Sequence, residues 1–468
     1  MGDPDFGYVT PENLPAFTDL YELTMLQGYV RQDHNPRATF DLFVRDLPPD
    51  RGYLVVAGLE QALAYLDTLS FSERLLDYLA EQDFHPDFLD WLGDFAFTGD
   101  VDAVPAGTLV FENEPFVEVT GPIAEAQLLE TLLINQVGFQ TLIATKAARM
   151  RDVVAREGDD QALVDFGSRR AHGTDAGLKA ARAAYVGGFD ATSNVAAGEA
   201  FGIPISGTMA HSWIQSFPTE RAAFEAFVRE YGEDSVLLID TYDTVEGAKT
   251  AKAVAEDLGV DIRGVRLDSG DLAALSVEVD EILDGEGGEG IFVSSGMDEY
   301  AIREFFADGG VATGFGPGTA LTTSTDAPKL EGVYKLVAVE EPPGSGNLAP
   351  SMKLSPGKVT YPGRKSIARI EEDGQFVGDV VGRPEDCADG SSLLEPVVRD
   401  GERVSEVPSL DAIRRRARDQ VSRLPLAHRA LRDPEPYPVE VSDGLETLAS
   451  ETEATLDRRM GVEADGEP

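Results

Sequence analysis

The chain has 468 residues, and its 84 Asp and Glu outnumber 39 Lys and Arg, giving a formal charge of −45 at pH 7. Such a field repels polyanions, so neither nucleic acid nor an anionic membrane is expected as a partner. Only nine of the basic residues are lysine. At ~1 M salt the Debye length falls to about 3 Å and the self-repulsion of so acidic a surface is screened, which predicts a halophilic cytoplasm as the working environment. The 42% hydrophobic content is sufficient for a core, and the length suggests two or three domains. A single cysteine, Cys387, excludes an intramolecular disulfide and a Cys-rich zinc ribbon. The first 20 residues do not read as a signal peptide.

In chain order, helical patterns at 20–30, 58–69 and 72–82 alternate with β-like stretches at 38–44, 107–111 and 116–119. The apolar run 131–145 is shorter than the ~20 residues of a bilayer span and contains Asn135, Gln136 and Gln140, so it reads as a buried helix. From residue 162 short apolar runs, at 162–166, 203–208, 236–239, 262–267, 291–294 and 311–315, alternate with helical patterns at 219–231, 245–258, 272–283 and 300–306. Such βα alternation implies a parallel sheet. Antiparallel strands are expected at 333–339, 358–361, 366–370 and 376–381, with a loop at 340–356 and a frayed tail from about residue 451.

Each βα run ends in a polar or glycine-rich cluster: 165–170, 207–211, 240–243, 266–271, 294–296 and 316–319. A βα barrel presents its active site on the carboxyl ends of its strands, and six decorated ends favour a barrel over an open sheet with one switch point. The predicted fold is therefore α/β, an irregular TIM-like barrel at 119–330. A second α+β domain is expected from the flanks, with an N-terminal domain at 1–118 and a C-terminal segment at 331–468 packing on it.

The clusters carry recognisable chemistry, each with a plainer alternative. Gly316-Pro317-Gly318-Thr319 lets backbone N–H groups approach a phosphate, or is simply a turn. Asp268 and Asp271 suit Mg²⁺ or ribose hydroxyls, or cap a helix. Arg266, just before them, needs an anionic partner if it points inward. Arg169 and Arg170 suit a carboxylate or phosphate, with Phe166 able to stack on a planar ring, or they pair with the many acids of this chain. His211 has no histidine partner at metal-site spacing and by itself reads first as a structural residue, although it sits at a decorated strand end. The arginines at 414–418 read as a solvated or ion-paired helix face. The Asp165-Phe166-Gly167 string lacks the glycine-rich loop and catalytic loop of kinases.

Taken together with Thr18 to Met25, Arg51-Gly52-Tyr53-Leu54, Gly332 to Val337 and Pro436-Tyr437-Pro438-Val439, these strings resemble the nicotinate phosphoribosyltransferase family over nearly the whole chain. The resemblance implies formation of nicotinate mononucleotide and pyrophosphate from nicotinate and phosphoribosyl pyrophosphate. It also implies Mg²⁺, coupled hydrolysis of ATP through a phosphorylated His211, and a cytoplasmic homodimer or higher homo-oligomer with shared active sites. It gives Tyr21 and Phe166 to the pyridine ring, Arg169 and Arg266 to the nicotinate carboxylate and nearby phosphates, and Asp268 and Asp271 to ribose hydroxyls or metal. Gly296, Gly316, Gly318 and Thr319 would cradle the 5′-phosphate, although Pro317 and the 294–298 spacing depart from the family's pattern. Ser193 stands where nicotinamide-specific relatives carry an aspartate, so a carboxylate is not repelled and nicotinate is favoured. The alternatives are a nicotinamide or quinolinate phosphoribosyltransferase, a barrel glycosidase using Asp268 and Asp271, and a non-catalytic ligand-binding relative. The arginines at strand ends argue against the glycosidase.

Overall fold

A computed structural model of the chain describes residues 9–285, 290–354, 360–387 and 392–460. The chain divides into two compact units, one made of residues 1–141, 329–409 and 423–468, the other of 142–328 and 410–422. The 28-residue helix Glu130–Glu157 carries the chain across the boundary, running well beyond the helix expected at 131–145.

The first unit is built on a seven-stranded antiparallel sheet in the order Leu348–Pro350, Gly332–Glu340, Arg37–Val44, Val117–Pro122, Asp100–Ala103, Glu395–Arg399, Glu402–Arg403. Every residue of Arg37–Val44 after the first is buried, so both faces of this central strand are covered and its apolar residues run without clean alternation. Its one buried carboxylate, Asp41, is paired with the Lys365 ammonium at 2.6 Å, which satisfies a charge that would otherwise be costly inside the sheet. Helices Leu20–Arg31, Leu59–Leu66, Glu73–Glu81 and Pro86–Gly93 contribute to the core of this unit through residues such as Leu26, Ala62, Leu75 and Phe88. Ser366–Glu372 and Gln375–Gly382 form the expected hairpin, joined by Val439–Val441. Strand Leu348–Pro350 interrupts the expected loop at 340–356. Thr360 and Tyr361 lie outside any strand, and the rest of the strand expected at 358–361 falls outside the described residues. The expected fraying from residue 451 is not seen either: helix Asp443–Met460 continues through it, with Thr452 buried, and only 461–468 lie outside the description.

The second unit contains six parallel strands: β1 (Ala162–Asp165), β2 (Ala191–Thr192), β3 (Val236–Leu238), β4 (Gly264–Leu267), β5 (Ile291–Ser294) and β6 (Gly314–Gly316). They pair in the order β2-β1-β6-β5-β4-β3, so the first strand lies beside the last. Among the described residues no ladder joins β2 to β3, and a closed barrel is not found. The strand expected at 203–208 is reduced to a single parallel bridge from Ile205 to Thr192 on the outer edge of β2. Strand β2 itself, only two residues long, gave no apolar run from which to expect it. Several of the polar clusters start helices: the Asp243, Asp271 and Asp298 carboxylates accept backbone N–H groups at the N-termini of Thr244–Leu258, Leu272–Leu283 and Glu299–Ala307. The arginine-rich helix Leu410–Arg423 is ion-paired, Arg414 to Asp190 and Arg418 to Asp160, each at 2.5 Å.

Candidate active site at the carboxyl ends of the parallel strands

The site grows from the end of β1. Asp165 is buried and accepts hydrogen bonds from the Gly167 N–H and the Thr192 hydroxyl, both at 2.8 Å. Burial pushes its carboxyl above the usual range, and these two donors oppose that shift. The bonds fix the turn that carries Phe166, whose N–H donates to the Pro317 carbonyl at 2.9 Å. The Phe166 ring lies beside Phe292, with centroids 5.6 Å apart and planes at 47°, and the Arg266 guanidinium stands 5.9 Å from its centroid.

Phe166, Arg169, Ser193, Arg266 and Asp268 line one cavity of about 470 Å³ together with Val195 and the 205–210 segment. Five residues singled out from the ends of three strands, β1, β2 and β4, are thus brought to a single space. Arg266 donates from Nη2 to the Met209 carbonyl at 3.2 Å, while its buried Nε has no hydrogen-bond partner. Burial lowers the pKa of this guanidinium, Asp268 and Asp240 support its charge, and the neighbouring Arg169 opposes it. A desolvated guanidinium with an unused N–H, next to an aromatic face, is suited to a planar anion.

His211 begins the short helix His211–Gln215. A 3.1 Å hydrogen bond joins its Nδ1 to the Thr241 hydroxyl, and its Nε2 is 4.0 Å from Asp268 Oδ2. Asp268 Oδ1 accepts from the Ser294 hydroxyl at 2.6 Å. His211 is therefore next to the cavity through Asp268, without lining it.

The other expected residues sit differently. Asp271 Oδ1 accepts the Ala274 N–H at 3.2 Å as a helix cap, the plainer of its two readings. Gly316 is buried inside β6, packed against the Phe166 ring. Gly318 precedes the five-residue helix Thr319–Thr323, whose first residue is Thr319. Gly296 follows Ser295 in consecutive left-handed conformations, φ 66° and 76°. Asp271, Gly296, Gly316, Gly318 and Thr319 are not among the cavity's lining residues. Tyr21 belongs to the first unit, where it is 46% exposed on helix Leu20–Arg31 and its hydroxyl pKa is pushed up by burial and by Glu130. Asp240, Thr241 and Ser294, which hold Asp268 and His211, received no role from the sequence; their only signal was a place at strand ends.

Among the described residues no set of three His, Cys, Asp or Glu side chains is arranged to hold a metal ion. The donors fit Mg²⁺ only in the manner of a phosphate-bound ion, which needs one or two protein carboxylates. Asp268 Oδ2, which no hydrogen bond from the surrounding loops engages as closely as Oδ1, is the oxygen suited to it.

A parallel sheet with an arginine-lined and phenylalanine-lined cavity at its carboxyl ends is the arrangement of an α/β enzyme acting on small molecules. The matching family models are the nicotinate phosphoribosyltransferase N-terminal domain at 17–138, the nicotinate phosphoribosyltransferase family at 161–341 and the C-terminal domain at 386–449. A nicotinate phosphoribosyltransferase of Mycobacterium tuberculosis is 46% identical over 91% of this chain and 91% of its own. That of Bacillus subtilis is 39% identical over 92% and 94%, and that of Homo sapiens 32% over 93% and 96%. The crystal structure of human nicotinic acid phosphoribosyltransferase superposes with a TM-score of 0.80 at 29% identity, covering 93% of this chain and 99% of that one. The chain belongs to the nicotinate phosphoribosyltransferase family.

Proposed function

We propose that the protein is a nicotinate phosphoribosyltransferase that joins nicotinate to phosphoribosyl pyrophosphate. The ring nitrogen of nicotinate forms a bond to the anomeric carbon as the bond from that carbon to pyrophosphate breaks, and pyrophosphate leaves with the electron pair. The observation that carries this reading is identity of 32–46% over 91–93% of the chain to proteins of that name. The cavity supports it: Phe166 offers a ring face, Arg266 and Arg169 offer cations for a carboxylate, and neutral Ser193 does not repel one. Tyr21 is assigned to the other face of the pyridine ring, contributed by a second subunit of a homodimer. Gly296, Gly316, Gly318 and Thr319 are assigned to the 5′-phosphate, with the packing of Gly316 limiting it to a backbone role.

Mg²⁺ supplies charge neutralisation on the departing diphosphate. Asp268 and Asp271 are assigned to the ribose hydroxyls and to that ion, with Asp268 better placed than the capping Asp271. His211 is assigned as the residue phosphorylated by ATP. The acidic composition supports a halophilic setting. The test is product identification by mass spectrometry after incubation with phosphoribosyl pyrophosphate, Mg²⁺ and high KCl, with and without ATP, using nicotinate, nicotinamide and quinolinate separately. Nicotinate mononucleotide is expected, and more of it with ATP. Turnover of another pyridine alone, or binding without product, would overturn the reading.

A further inference from the structure

Strands β3 and β4 run parallel in a register that sets Leu238 against Arg266. Just past the end of β3 the two chains stay in contact, the Ile239 N–H donating to the Arg266 carbonyl at 3.2 Å. Asp240 then uses Oδ2 on the loop after β4: it accepts the Asp268 N–H at 3.0 Å and the Ser269 hydroxyl at 2.6 Å. A carboxylate held by two donors from one loop fixes the backbone of that loop. The next residue, Thr241, is joined through its hydroxyl to Nδ1 of His211 at 3.1 Å. One dipeptide at the end of β3 therefore holds both partners of the His211–Asp268 pair, whose facing atoms are 4.0 Å apart.

We infer that Asp240 and Thr241 are positioning residues for the transferase reaction, Thr241 fixing the His211 ring and Asp240 fixing the Asp268 loop; this rests on the function proposed above. Neither lines the substrate cavity. Both lie in the short loop between β3 and helix Thr244–Leu258, where their hydrogen bonds orient the functional side chains from outside the cavity. Misplacement of a reacting group by about 1 Å can cost roughly a hundredfold in rate. The loss is expected in kcat, because the aromatic and arginine walls of the cavity remain.

The experiment compares Thr241→Val with Thr241→Ser, and Asp240→Ala with Asp240→Asn, in the full-length protein at high KCl. Ring ¹⁵N signals of His211, assigned by their loss in His211→Gln, are recorded beside kcat and the KM for nicotinate. The valine and Asp240→Ala variants should lose about tenfold or more in kcat with nicotinate KM changed less than about threefold. Thr241→Ser and Asp240→Asn, which keep the hydrogen-bonding oxygens, should recover most of it. His211 signals should move in Thr241→Val and return in Thr241→Ser. If the valine variant does not fold, Thr241→Ala provides the same readout without the added methyl. Unchanged His211 signals and kcat in the variant lacking the hydroxyl, or an equal loss in Thr241→Ser, would overturn the inference. An inactive wild-type protein would instead refute the transferase reading, while the His211 signals would still decide whether Thr241 holds the ring.

Discussion

The ring of Phe166 occupies the space that a side chain at Gly316 would need: a Cβ there would lie 2.5 Å from Phe166 Cδ2 and 3.0 Å from a ring atom of Phe292. The glycine is thus required by an aromatic ring packed across neighbouring strands β1 and β6. Gly316→Ala should tip the Phe166 ring. Aromatic contacts contribute about 0.5–1.5 kcal/mol, so KM for nicotinate should rise about two- to tenfold, more than KM for phosphoribosyl pyrophosphate. Steady-state kinetics with each substrate varied in turn checks this, and an effect confined to phosphoribosyl pyrophosphate would return Gly316 to phosphate binding alone.

Ser193 lies on the cavity wall with Arg169 and Arg266. Ser193→Asp would place a carboxylate where the nicotinate carboxylate is expected, and like charges juxtaposed at an interface cost several kcal/mol. The expected loss in kcat/KM for nicotinate is at least about tenfold. Unchanged kinetics would remove Ser193 from the substrate site.

His211→Ala should retain slow transfer and lose stimulation by ATP, because its neighbours Asp268 and Thr241 would remain while the proposed phosphate acceptor is gone. Incubation with γ-labelled ATP followed by an acid-lability test checks the same point. Persistent acid-labile label on the variant would show that another residue carries the phosphate.

Glu220 opens helix Glu220–Tyr231 with Oε1 buried and without a hydrogen-bond partner, facing the charges of Asp243 and Asp240. Burial first, then those two carboxylates, push its pKa up to about 7. An acid that binds its proton more tightly when folded contributes stability that is present below its unfolded pKa and lost as pH rises through the folded value. Glu220→Gln, which cannot ionise, should therefore melt a few degrees above wild type at pH 8 and close to it at pH 4.5. Thermal scans at fixed high KCl test this; an equal difference at both pH values would mean that charge at Glu220 is not responsible.

The charge of −45 makes the folded state sensitive to screening. Raising KCl from 0.05 M to about 2 M should raise the melting temperature, with most of the gain by ~1 M, where the Debye length has fallen to about 3 Å. The short-range Arg266–Phe166 contact should persist, so KM for nicotinate should change less than stability. Full stability in dilute buffer with no gain from KCl would exclude the halophilic setting.

The succession of βα units was legible because apolar runs at 162–166, 236–239, 262–267 and 291–294 contain strands of the parallel sheet and the run at 311–315 overlaps one. Strand β2 was not: two residues with one buried carry too little pattern to stand out. The 203–208 run failed in the opposite sense, for its apolar residues met no neighbour with which to form more than a bridge. The barrel expected from six decorated strand ends is not found closed among the described residues, and closure depends on hydrogen bonds between strands distant in sequence, which local patterns do not carry.

By itself the sequence determined the family, the parallel sheet and the types of group at each strand end, because these follow from local periodicity, turn chemistry and collinear motifs. Only the tertiary structure decided which strand ends share a space. The packing of the unit draws Phe166, Ser193 and Arg266 onto one cavity, and the loop after β3 brings Asp240 to the Asp268 loop and Thr241 to His211. Local sequence specifies a strand and its two faces, but strand order and register are set by packing across the whole unit.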